Sequence, residues 1–115
     1  MASNGTSAGF SASNSKFIGN SSEGISYCDR GGVFYANGRN IDSTSNIYDG
    51  NSVISDSKAH GGAINARGNA VVTSTNDTFT NNSAIKSGLG GALYVEKATI
   101  NINATEDISN IGNFA

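Results

Sequence analysis

The sequence predicts an all-β chain wound as a right-handed parallel β-helix, with three short strands per coil. Three observations predict it. Gly-Gly recurs at Gly31-Gly32, Gly61-Gly62 and Gly90-Gly91, at intervals of 30 and 29 residues. An aromatic followed three positions later by asparagine recurs as Phe17 and Asn20, Tyr48 and Asn51, and Phe79 and Asn82, at an interval of 31. Ten residues after each first glycine stands a β-branched aliphatic, Ile41, Val71 or Ile100, opening an alternating stretch. Alternation of period two indicates half-buried strand, and no helical periodicity competes with it. A unit of about 30 residues cannot bury its own apolar face, whereas stacked units can.

Each element follows from its residues. Gly-Gly supplies a corner where φ can turn positive and neighbouring coils can approach closely. In the strand after it, Phe34 and Ala36, Ile64 and Ala66, and Leu93 and Val95 are expected to face inward. Tyr35, Asn65 and Tyr94 then point outward. The second strand places Val71 between Ile41 and Ile100. The third stacks Tyr48 between Phe17 and Phe79 and lines up Asn20, Asn51 and Asn82 as an amide ladder between coils. Coils lie about 4.8 Å apart, and right-handed winding follows the usual hand of parallel crossovers. The whole of residues 1–115 is expected to form one domain of between three and four coils, registered on Gly31, Gly61 and Gly90. The first and last coils read as incomplete. In the last, Ile108-Ser-Asn-Ile111 takes the place of the aromatic and its asparagine.

Composition bounds the rest. A chain of 115 residues with 37% apolar and 14% charged residues, net charge −2 and neither Trp nor Pro supports one modest core. The weak acidity offers no footprint for nucleic acid. No apolar run is long enough for a membrane-spanning helix, and the first ten residues lack the basic and apolar regions of a signal peptide. The single cysteine, Cys28, excludes an internal disulfide and reads as a small buried or half-buried residue.

No catalytic, metal or cofactor constellation stands out. His60, the only histidine, precedes a Gly-Gly corner and reads as a solvated turn residue. A glycine loop that holds phosphate would open a helix, and none follows. Asp42, Asp49, Asp56, Asp77 and Asp107 read as solvated turn and strand-end residues without a carboxylate pair. Calcium-loop spacing and repeated outward threonine rows are both lacking. The segments from Ser21 to Arg30, Ser52 to His60 and Ser83 to Leu89 vary most between repeats and read as loops on one side of the stack, the natural place for recognition. They carry the candidate contact residues Cys28, Arg30, Lys58, His60 and Lys86, joined by the outward Tyr35 and Tyr94.

The alternation of Gly-Gly-Ala-Ile64, Gly-Gly-Ala-Leu93 and the variant Gly-Gly-Val-Phe34 with Phe-Ile-Gly-Asn20, Phe-Thr-Asn-Asn82 and the near match Tyr-Asp-Gly-Asn51 resembles the repeat of the chlamydial polymorphic outer-membrane protein family. The resemblance spans roughly residues 10–113 and implies the surface-exposed β-helical passenger of an autotransporter, with adhesion as its role. The family's signal peptide and membrane barrel are not found in this sequence. The expected function is therefore that of a non-enzymatic, extracellular or cell-surface structural or adhesive protein. Head-to-tail stacking of coils into a fibre is one expectation for its partners. A passenger fragment, outer-membrane-associated and binding a host receptor or glycan, is the alternative. A polysaccharide-active β-helix enzyme is the less favoured one.

Overall fold

A computed structural model describes residues 2–4, 9–24, 30–104, 110–111 and 113. Among them are fifteen strands and no helix. The first coil contains β1 (Ala2–Asn4), β2 (Phe10–Ser13), β3 (Lys16–Ile18) and β4 (Ser21–Gly24). The second contains β5 (Phe34–Asn37), β6 (Ile41–Thr44), β7 (Ile47–Asp49) and β8 (Ser52–His60). The third contains β9 (Ile64–Arg67), β10 (Val71–Thr75), β11 (Thr78–Thr80) and β12 (Ser83–Leu89). The fourth supplies β13 (Leu93–Glu96), β14 (Thr99–Asn103) and β15 (Asn110–Ile111).

Each strand pairs in parallel with its counterpart one coil away. Four sheets result, ordered β1-β5-β9-β13, β2-β6-β10-β14, β3-β7-β11-β15 and β4-β8-β12. This is a parallel β-helix, but its full coil has four strands where the sequence suggested three. The fourth sheet is made of the segments read as loops. Their strands are rich in Ser, Gly and Ala, so apolar alternation is diluted, yet Val53 and Ala84 are buried there with Ala59 in a small cluster of their own.

The main core lies between the first three sheets. Ile64 stacks between Phe34 and Leu93, as the glycine register requires. Tyr48 stacks between Phe17 and Phe79, with ring centroids 5.1 and 4.7 Å away and nearly parallel planes. Phe34 packs edge-on against Phe17 and Tyr48 and so joins the two columns. The second sheet corrects one position: Val72, not Val71, pairs with Ile41 and Ile100. Val72 is fully buried, while Val71 is half-buried.

At the Gly61-Gly62 corner the two glycines have separate roles. Gly61 has φ of 65°, where a side chain is strained. Gly62 is instead held by proximity, since a Cβ there would overlap the Gly91 carbonyl oxygen and the Ser83 amide.

Candidate functional site: the outward face of the first sheet

Along the spine of the molecule runs the amide ladder. Asn20 Nδ2 donates to Asn51 Oδ1 at 2.9 Å, Asn51 Nδ2 to Asn82 Oδ1 at 2.9 Å, and Asn82 Nδ2 to Asn113 Oδ1 at 2.8 Å. Each receiving oxygen also accepts the backbone N–H of the preceding rung. The second amide proton of Asn51, Asn82 and Asn113 goes to the carbonyls of Phe17, Tyr48 and Phe79. Asn113 is thus a fourth rung, and Asn110 takes the position that pairs with Phe79. The repeat therefore falls at Asn110 to Asn113, two residues beyond Ile108-Ser-Asn-Ile111, with the rung 31 residues on from Asn82.

A second polar column was not legible. Ser15 N–H donates to Asn46 Oδ1, and Asn46 N–H to Asp77 Oδ1, both at 2.8 Å. Ser74 donates to Asp77 Oδ2 at 2.6 Å, while Asn46 Nδ2 reaches Ser43, which shares a 2.7 Å hydrogen bond with the Tyr48 hydroxyl. Asp77 is 1% exposed, so it is a buried structural carboxylate and not a solvated turn residue. Burial pushes the Tyr48 phenol up to about 12; the Ser43 hydrogen bond opposes this shift and the Asp77 charge adds to it. Of the other acids, Asp42 and Asp56 are exposed, Asp49 accepts from Thr80 at 2.8 Å, and Asp107 lies outside the described residues.

The recognition candidates separate into two places. Lys58 and Lys86 sit exposed on the fourth sheet, where Lys86 Nζ pairs with Asp56 at 2.6 Å. That hydrogen bond raises the ammonium pKa. Cys28 lies outside the described residues. Arg30, Tyr35, His60 and Tyr94 instead gather at the outward face of the first sheet, where β5, β9 and β13 align Tyr35, Asn65 and Tyr94 in one column and Asn37, Arg67 and Glu96 in the next.

The Arg30 guanidinium lies 5.8 Å from the Tyr35 ring centroid, and the His60 ring stacks on Tyr94 at 4.1 Å with planes 10° apart. His60 is the last residue of β8 and only 6% exposed, which corrects its reading as a solvated loop residue. The stacked Tyr94 ring, supplied by the first strand of the fourth coil, shields it. Tyr35 and Asn65 are likewise buried although they lie outside the main apolar core, and the Arg30 guanidinium lies over the Tyr35 ring. Beside them Arg67 Nη2 meets Glu96 Oε2 at 2.6 Å across two coils, with the Tyr94 hydroxyl 3.5 Å from the same oxygen. Tyr35, Asn37, Arg67, Gly68, Glu96 and Lys97 line an open cleft of about 330 Å³.

Among the described residues no group of three or more His, Cys, Asp or Glu is placed to hold a metal ion. No helix among them is long and apolar enough to cross a membrane.

Residues 78–96 match the family model for the Chlamydia polymorphic membrane protein repeat. That stretch runs from β11 to β13 and contains both Phe79-Thr-Asn-Asn82 and Gly90-Gly-Ala-Leu93, the two motifs of the resemblance. It is a repeat of the type found in that family of surface proteins. Neither the curated proteins nor the solved structures gave a match.

Proposed function

We propose that the chain is a non-enzymatic β-helical part of a cell-surface protein and that its role is adhesive, as in the passenger of an autotransporter. The observation that carries this reading is the repeat match at residues 78–96, set in a scaffold whose inter-coil contacts are fixed by continuous amide and aromatic columns. Such a scaffold holds outward side chains in fixed positions, as recognition requires. His60 supports the non-enzymatic reading, because its ring is buried against Tyr94. Binding of the fluorescently labelled chain to cultured epithelial cells tests the proposal. Saturable binding, displaced by unlabelled chain and lost on unfolding, is expected; absence of saturable binding contradicts it. New reducing ends released from polyuronates would favour the enzymatic alternative.

A second reading is favoured by the sense of the ladder. Every junction uses the same donors and the same acceptor, so a further coil or a second copy of the chain can continue it by translation. Head-to-tail association is then expected in sedimentation at rising concentration. A monodisperse monomer throughout excludes it.

A further inference from the structure

Asparagine loses its side-chain ammonia most readily before glycine, whose amide nitrogen has no Cβ beside it to hinder attack on the carboxamide. Asn37-Gly38 is the one such pair wholly among the described residues, and Asn4-Gly5 is the other in the sequence. Asn37 ends β5, and both it and Gly38 are exposed. The third coil nevertheless holds the pair. The Gly38 N–H donates to the Arg67 carbonyl oxygen at 3.0 Å, and Asn37 pairs with Arg67 in the first sheet. The Asn37 carboxamide lies against Gly68, where a Cβ would overlap its Oδ1. At that turn the third coil's link to the second sheet is one residue longer than the second's, since Ile41 pairs with Val72. The attacking nitrogen is thus engaged as a donor, and the extended strand keeps ψ of Asn37 away from the rotation that ring closure needs.

We propose that Asn37-Gly38 is a self-modification site, held unreacted by the third coil and released to react when the second and third coils part. The Gly38 nitrogen, giving up its proton, then attacks Cγ of Asn37. A new C–N bond closes a cyclic imide, the bond from Cγ to the side-chain nitrogen breaks, and ammonia leaves with the proton. Water opens the imide at either carbonyl, leaving aspartate or isoaspartate at that position. Solvent water is the only co-reactant. Isoaspartate carries the chain through the side-chain carbon and so adds a backbone atom at the end of β5. The Asn37–Arg67 pairing and the Gly38–Arg67 hydrogen bond then cannot both re-form. A transient parting of the two coils becomes a permanent one.

Peptide mapping by mass spectrometry tests this on the whole chain, incubated at mildly alkaline pH with and without urea. In urea, Asn37 should convert at a rate close to that of Asn4, which has the same following residue. In the folded chain, conversion at Asn37 should be slower by about tenfold or more, because it waits on local opening. Asn82→Ala removes a ladder bond between the second and third coils and should speed conversion at Asn37 several-fold in buffer. Val72→Ala gives the same expectation should that variant fail to fold. Asn37→Gln should end conversion at that position while Asn4 still reacts in urea. Conversion at Asn37 as fast in the folded chain as in urea, none in urea, or a folded-state rate that neither variant raises overturns the proposal.

Discussion

Asn51 donates from Nδ2 to Asn82 Oδ1 at 2.9 Å, and its backbone N–H reaches the same oxygen at 3.0 Å. Asn82→Ala would leave both donors and the Tyr48 carbonyl without their partner inside the stack. We expect it to lower stability by about 2–4 kcal/mol. Asn20 is exposed at one end of the ladder, so Asn20→Ala should cost under about 1 kcal/mol. Urea unfolding of the two variants decides the matter, and equal losses would contradict the burial gradient along the ladder.

The Tyr48 hydroxyl gives alkaline stability a defined sign. Its pKa is 10.0 when unperturbed and about 12 in the fold. Between those values the folded chain holds a proton that the unfolded chain has released. The stabilisation is complete below pH 10 and is lost as pH rises towards 12, by on the order of 2–3 kcal/mol. Tyr48→Phe should remove this pH-dependent loss while costing about 1 kcal/mol at neutral pH through the missing Ser43 hydrogen bond. Denaturant melts across this range are the measurement. A variant whose stability falls as steeply as the parent's would refute the assignment.

Two glycine substitutions separate conformational strain from close approach. Gly50 has φ of 65° but open space around its Cβ position, so Gly50→Ala should cost about 1 kcal/mol. At Gly62 the added methyl meets backbone atoms of two segments that cannot yield separately. Gly62→Ala should therefore destabilise by more than about 3 kcal/mol or prevent folding. Thermal melts of both variants should show this order, and the reverse order would contradict the corner geometry.

The register in the second sheet gives a third matched pair. Val72→Ala removes a fully buried side chain between Ile41 and Ile100 and should cost about 2 kcal/mol. Val71→Ala, at the half-buried neighbouring position, should cost under about 1 kcal/mol. Chemical denaturation of the pair should give that ranking; the opposite ranking would restore the register read from glycine spacing.

That one-residue slip shows how far sequence periodicity reaches. Gly-Gly and aromatic-x-x-Asn are repeated by residue type, so the coil, the Tyr48 stack and most of the amide ladder were legible. The extra residue near Gly68 shifts Val72 into the core without altering either motif. Asn46 and Asp77 carry one column of hydrogen bonds with two different side chains, which Ser15 joins through its backbone N–H, and self-similarity cannot detect it. The fourth sheet escaped because backbone pairing does not need an apolar pattern, and Ser21, Ser52 and Ser83 serve the ladder as well as larger residues would. The burial of His60 is hidden from sequence for a related reason: its partner, Tyr94, lies 34 positions away and is brought over it only by coiling.

The amide ladder itself gives the most direct test of the stacked-coil account. Side-chain amide protons of Asn51 and Asn82 should exchange slowly in solution NMR. They should show nuclear Overhauser contacts from each asparagine to the next, 31 residues on, together with parallel-strand contacts between β7 and β11. Rapid exchange of both amides with antiparallel contacts, or no contacts, between those strands would contradict it.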